Sequence, residues 1–167
     1  PDPNGPPVRH LAVLGLGKDT LNQDDVVTAE LGALNLSTAG ALGLARDSSL
    51  AMEPLVQSSR HAALADAAAV RAAVGEPDAL REGFQSGNEP LVLAARYTGE
   101  LRSAFAGRGE GHRDASEGPV NLLVVADTDL LTDRLWVQVQ EFLGQPVYEP
   151  FANNGDFVFN AVDNLVG

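Results

Sequence analysis

The chain of 167 residues has no cysteine, one lysine and one tryptophan, and only 5 % of it is aromatic. Without cysteine there is no thiol nucleophile, disulfide framework, iron-sulfur cluster or cysteine zinc site. A cysteine-free chain fits an oxidising and a reducing compartment equally well, so the compartment stays open. No apolar run approaches the roughly 20 residues needed to span a bilayer. Positive charge is also scarce, with 11 basic against 23 acidic residues and a formal net charge of -12. Such an excess repels phosphate backbones and anionic lipid headgroups, which argues against nucleic-acid binding and against direct membrane contact. The acid is not confined to a tail: residues 1–119 carry 16 acids and 10 bases, residues 120–167 carry 7 acids and 1 base, and each part nets -6.

What is present is a chain 44 % hydrophobic, with 24 alanines diluting a core of Leu, Val and six Phe. Alanine buries little area, so modest stability is expected. The length suits one domain, read as a linker or lead-in arm over 1–9 and a single α/β domain over 10–167. The chain lacks an initiator Met, opens on Pro1-Asp2-Pro3-Asn4-Gly5-Pro6-Pro7 and stops at Gly167 within a helical pattern. It therefore reads as part of a longer protein, and says nothing about a signal peptide or anchor in its parent.

Along the chain, Leu11 to Gly17 is a short apolar run closed by glycines, suited to a strand. Asn22 or Asp24 is placed to cap a short helix through Val26, Val27 and Leu31, with Gly32 as its stop. Ala41–Leu44 and Leu50–Val56 read as extended, and Leu91–Tyr97 as a strand. The alanine-rich segment His61–Val74 favours helix by propensity but has a sparse apolar face. Glu76-Pro77-Asp78 reads as a helix start running to about Gly83. Gly107–Gly118, with four glycines and mixed charge, is the expected mobile loop. Val120 and Leu122–Ala126 form an apolar run without alternation, which predicts a strand covered on both faces, as in parallel sheets flanked by helices. A helix is expected over Thr132–Leu143, burying Leu135, Trp136, Val139, Phe142 and Leu143 and stopped by Gly144 and Pro146. A last helix is expected from Asn153-Asn154-Gly155-Asp156, with Phe157, Val158, Ala161, Val162 and Leu165 at helical spacing.

No motif completes a catalytic set. Gly15-Leu16-Gly17-Lys18-Asp19-Thr20 superficially resembles a phosphate loop, but Ala12 stands where its first glycine belongs and Asp19 where its magnesium hydroxyl belongs. His10, His61 and His112 have no second histidine at metal-ligand spacing, and no Gly-x-Ser-x-Gly elbow surrounds a serine. Asp127-Thr128-Asp129 after a hydrophobic strand is the arrangement of magnesium-dependent phosphoryl chemistry. The basic residue needed for phosphoryl charge is missing, since Arg134 is the one base downstream. Capping by Asp129 or Thr132, with Asp127 tying down the turn, explains these residues more simply. Asn153-Asn154-Gly155-Asp156 similarly resembles half a calcium loop but lacks its alternating ligands and closing Glu. The sequence thus yields no catalytic residue, no metal set and no cofactor. Asp127, Asp129, Asn153, Asn154 and Asp156 remain the candidates for holding a small ligand or cation.

Three stretches carry a family likeness: Val124-Val125-Ala126-Asp127-Thr128-Asp129-Leu130-Leu131, Trp136 to Gly144, and Pro150 to Leu165. With weaker matches at Asn22–Ala29, Pro54–Ser59, Val92–Arg96 and Ser103–Phe105, the chain resembles the auxiliary component of ABC-type transport systems related to the gliding-motility transporter auxiliary protein. The resemblance spans most of the chain. It implies a Rossmann-like, amidotransferase-like layered sheet with flanking helices, as the later part of an extracytoplasmic, periplasmic region of a membrane-anchored protein. It also implies that Pro54–Asp66 is largely extended, against the helical propensity of its alanines. The expected role is a non-catalytic interaction or scaffold domain whose partners are transporter membrane subunits or other envelope proteins. Its rivals are a module binding a small sugar-like or cationic ligand between the strand end at Ala126 and the last helix, and, ranked last, a metal-dependent phosphatase.

Overall fold

A computed structural model describes residues 10–73 and 76–167. The arm expected over 1–9 lies outside these residues, as does Val74 at the end of the alanine segment. The fold is mixed α and β, with seven strands in three sheets and two α-helices among the described residues. Strands β1 (Val13–Gly17) and β2 (Ala33–Ser37) pair antiparallel. Strands β3 (Ala51–Gln57), β4 (Val92–Arg102) and β5 (Ala115–Val125) form a second antiparallel sheet in that order. Strands β6 (Val137–Phe142) and β7 (Gln145–Pro150) make a separate antiparallel hairpin. Helix α1 spans Ala67–Ala72 and helix α2 spans Asn154–Val166.

The parallel, doubly covered sheet expected from Leu122–Ala126 is not what forms. Its residues alternate, with Leu123 and Val125 packed on the core while Leu122 and Val124 are each 37 % exposed. The run is apolar on both faces although one is open, so composition suggested a second covering layer that antiparallel pairing does not require. The expected loop over Gly107–Gly118 is shortened at its end, because Ala115–Gly118 already belong to β5. The expected helix over Thr132–Leu143 is also replaced, by a 3-10 turn at Asp133–Leu135 followed by β6. Here Val137-Gln138-Val139-Gln140 has the period of two of a strand. Leu143 and Gly144, at φ 51° and 76°, form the two-residue link between Phe142 and its partner Gln145. Positive φ at both central residues is the requirement of the hairpin turn whose twist matches its strands. Gly144 and Pro146, read as helix stops, are therefore hairpin elements.

Two further expected helices do not form, and other expectations are met in part. The stretch after Asn22 is a series of turns in place of a helix. Asn22 Oδ1 accepts from Asp24 N and Asp25 Oδ1 from Val27 N, so the polar side chains satisfy backbone donors and no full helix follows. Ala41–Leu44 contributes one bridge, Leu42 to Val92. After β3 the chain runs without helix or strand through Ala63–Asp66, and Asp66 then caps α1 by accepting from Ala68 N and Ala69 N. Propensity thus wins only once a capping carboxylate is available. The segment after Glu76 is a 3-10 turn, Pro77–Leu80.

One core joins the first two sheets and α2. Leu16 of β1, Leu34 and Leu36 of β2, Leu55 and Val56 of β3, Leu93 and Ala94 of β4, and Phe157 of α2 cluster with Val27, Leu31 and Leu130. Helix α2 starts where expected and faces this core with Asn154, Phe157, Val158 and Ala161. Farther along, Val162 and Leu165 turn outward and are 56 % and 45 % exposed.

Candidate functional site

The polar candidates converge on one edge of β2. The pairing of β1 with β2 turns the backbone groups of Ala33, Asn35 and Ser37 toward the opposite edge, and each meets a side chain from the C-terminal third. Asn153 Oδ1 accepts from Gly32 N at 2.9 Å and Ala33 N at 3.1 Å. Its own backbone N donates to Ala33 O at 2.8 Å. Asn154 Oδ1 accepts from Asn35 N at 3.0 Å, while its Nδ2 donates to Asn35 O at 2.7 Å and Leu130 O at 2.8 Å. Asp127 Oδ2 accepts from Ser37 N at 2.7 Å, and Oδ1 from Asp129 N at 2.6 Å. A neighbouring strand would have supplied these same donors and acceptors. Side chains from the β5 exit and from the start of α2 take its place, which satisfies an edge that would otherwise bury unpaired amides.

The five candidates are thus brought to one region but not to one open cavity mouth. Asn154 is fully buried and Asp127 and Asn153 are half-buried. Asp129 is half-buried and meets Arg134 Nη2 at 3.5 Å, a separation typical of a weak ion pair. Asp156 is exposed and accepts from Asn153 Nδ2 at 2.8 Å, which orients that amide toward β2. Trp136 lies against the start of α2, its Nε1 donating to Leu131 O at 3.3 Å. A Cβ placed on Gly155 would lie 2.8 Å from Trp136 Cζ3, so glycine permits the first turn of α2 to seat against the indole. Among the described residues, no three His, Asp or Glu side chains group so as to hold a metal ion.

A second cluster carries a charge pair that sequence reasoning passed over. Arg96, in the middle of β4, binds Asp25 in bidentate fashion, Nε to Oδ2 at 2.9 Å and Nη2 to Oδ1 at 3.0 Å. Its Nη1 donates to Asn121 Oδ1 and Asn164 Oδ1, each at 3.0 Å, joining β4, β5, α2 and the turn after Asn22. Burial pushes the Asp25 carboxyl up, but hydrogen bonds from Arg96 and Val27 N and the guanidinium charge outweigh it and hold the group below its ordinary value. The available signal was an arginine inside an otherwise apolar strand, Leu91 to Tyr97, since a buried guanidinium needs a carboxylate. Each of the three guanidinium nitrogens has a structural partner, so the pair joins elements rather than opening to a substrate.

The largest exposed apolar side chains lie elsewhere. On the hairpin, Phe142 is 67 % and Leu143 88 % exposed, with Val139, Val147, Tyr148 and Phe151 also open. On α2, Phe159, Val162 and Val166 face outward. No helix among the described residues is long and apolar enough to cross a membrane. No curated protein and no solved structure matches the chain. A family model does: it matches residues 2–161, and the chain belongs to the family described as an ABC-type uncharacterized transport system, the auxiliary component of such systems.

Proposed function

We propose that this chain is a non-catalytic interaction domain of the auxiliary protein, of the gliding-motility type, and that it works on the extracytoplasmic side by docking on membrane subunits of the transporter. The observation that carries this reading is the hairpin, whose tip holds Phe142 and Leu143 in water and away from the core. An exposed leucine at positive φ costs stability twice, through backbone conformation and through solvation, and a binding surface is what such a residue serves. Membership in an auxiliary transport family supports a role in assembly over one in turnover. The periplasmic placement and the kinship with gliding-motility auxiliaries rest on the resemblance alone. In this reading Asp127, Asn153 and Asn154 act as latches for β2 and not as ligand groups, because their polar atoms are already spent on backbone or, for Asn153 Nδ2, on Asp156.

The test is binding of the purified chain to the transporter's detergent-solubilised membrane subunits, with wild type beside the double variant Phe142→Asp, Leu143→Asp. Binding by wild type, weakened at least about tenfold in the variant at unchanged Tm, is the expected result. No binding by wild type, or equal binding by both, overturns the proposal.

A further inference from the structure

The two long edges of the hairpin are not equivalent. Phe142 and Gln145 flank a two-residue link, which makes them a hydrogen-bonded pair and assigns Gln140 with Val147 and Gln138 with Glu149 to the same class. The bond from Phe151 N to Trp136 O at 2.8 Å continues this series. The backbone groups of Val139 and Glu141 therefore point away from β7, and those of Pro146, Tyr148 and Pro150 point away from β6. Two of the three outward positions on β7 are prolines and have no N–H, so that edge is blunted against pairing. The β6 edge has no such protection. Among the described residues, no backbone partner outside the hairpin reaches Val139 or Glu141.

The stretch that carries the open edge has one sign of charge from Leu135 onward, and Arg134, just before it, faces Asp129. Residues 135–167 contain Glu141, Glu149, Asp156 and Asp163 and no Lys, Arg or His. Glu149 accepts from Gln140 Nε2 at 3.3 Å, whereas Glu141 lies opposite Pro146 and has no hydrogen-bond or ion-pair partner among the described residues. A cavity of about 310 Å³ opens beside it, lined by Val139, Gln140, Glu141, Gly144 and Pro146. Its wall is apolar at Val139 and Pro146 and anionic at Glu141, which fits a long side chain with an aliphatic stem and a cationic end.

Resting on the interaction reading above, we propose that the outer edge of β6 receives an extended, basic segment of a partner protein by strand addition. Its backbone pairs with Val139 and Glu141, and a Lys or Arg from it enters the cavity beside Glu141. Strand addition draws affinity from main-chain hydrogen bonds and specificity from pockets for alternate side chains, and this edge offers both. A second copy of the chain is the poorer occupant, since each copy brings a net charge of -12 and an acidic hairpin.

The probe is a peptide of about eight residues alternating valine and lysine, a length typical of one strand, with a valine-glutamate peptide as control. Wild type is expected to bind the basic peptide at least about tenfold more tightly than the acidic one. Val139→Pro removes an outward N–H, the device β7 already uses, while keeping an apolar residue in the cavity wall, and is expected to weaken binding at least about tenfold. Glu141→Lys is expected to reverse the preference between peptides, and it keeps the test decisive should the proline variant fail to fold. No binding of the basic peptide up to about 1 mM, the weak end of specific association, overturns the proposal, as does equal binding by Glu141→Lys or by a folded Val139→Pro. Dimerisation of wild type that Val139→Pro abolishes also overturns it, in favour of a second copy. With the membrane subunits, failure of wild type to bind refutes the interaction reading itself. Binding by wild type and by Val139→Pro alike refutes only the strand-addition site.

Discussion

The Asn154 side-chain amide pairs with the backbone of Asn35 on both sides, accepting from its N–H at 3.0 Å and donating to its carbonyl at 2.7 Å. Residues 119 positions apart thus make the hydrogen bonds of a strand pair with only one backbone involved, and α2 is fastened to β2 at its first turn. The third bond, to Leu130 O, fixes the segment that follows β5 at the same point.

Asn154→Ala leaves Asn35 N–H, Asn35 O and Leu130 O without partners in a buried site. An unsatisfied buried group costs about 1–3 kcal/mol, and partial access of water limits the sum, so a loss of about 3 kcal/mol is expected. Urea unfolding of the two proteins measures it. A change within about 0.5 kcal/mol, the range of ordinary surface substitutions, contradicts the latch.

Arg96→Met is expected to cost about 3 kcal/mol at neutral pH, because it strands Asp25 as a buried charge without its guanidinium. Asp25 in the wild type sits below its ordinary value, so its contribution is complete above about pH 4 and is lost as pH falls through that lowered folded value. In the variant the guanidinium is gone and the Val27 N–H bond alone opposes burial, so protonation of Asp25 relieves part of the penalty. The stability gap between the proteins therefore narrows on acidification below about pH 4, as denaturant melts at a series of pH values will show. A gap that widens in acid contradicts the assignment.

Gly155→Ala drives a methyl against the Trp136 ring, where the added carbon would stand 2.8 Å from Cζ3. Overpacking of this kind costs about 1–3 kcal/mol, more than the helix propensity of alanine returns. A lower Tm together with changed Trp136 fluorescence is the expected pair of results. Alanine at this position raising the Tm contradicts the contact.

Leu143→Asn creates the Asn-Gly link that two-residue hairpins favour, at a position already at φ 51°. It is expected to stabilise the chain by about 0.5–1 kcal/mol, since asparagine tolerates that conformation better than leucine. Weaker binding to the membrane subunits accompanies this gain if the leucine is kept for docking.

The legible parts of the fold were those with a punctuated end, although Asn153 at the start of α2 makes no side-chain cap and bonds Gly32 and Ala33 instead. Helix α2 was readable from Asn153 and the spacing of Phe157, Val158 and Ala161, and strands β1, β3 and β4 from apolar runs ended by Gly or polar turns. The Thr132–Leu143 segment misled because Leu135, Trp136, Val139, Phe142 and Leu143 also fit a helical stripe, while the deciding feature was the conformation of Leu143 and Gly144. Leu122–Ala126 misled because a residue's side of a sheet is not written in its hydrophobicity when both faces are apolar. The candidate site was legible in composition only. Asp127, Asn153 and Asn154 stood out as polar groups at element ends, but their common target, the β2 backbone, contains no residue that marks it as needing partners. Arg96 was passed over although it interrupts an apolar strand, because nothing in the sequence names Asp25 as its partner until the strand and the turn are seen together.

The most direct test sets two variants side by side against the transporter's membrane subunits, measuring affinity and Tm for each. Asp127→Asn replaces an acceptor of the Ser37 and Asp129 amides, and the account predicts a lower Tm with affinity retained at a temperature where the protein is folded. Phe142→Asp with Leu143→Asp is predicted to do the reverse, keeping the Tm and losing at least about tenfold in affinity. Loss of affinity in folded Asp127→Asn, with the hairpin variant binding as wild type does, contradicts the account and returns the polar cluster to the role of a binding site.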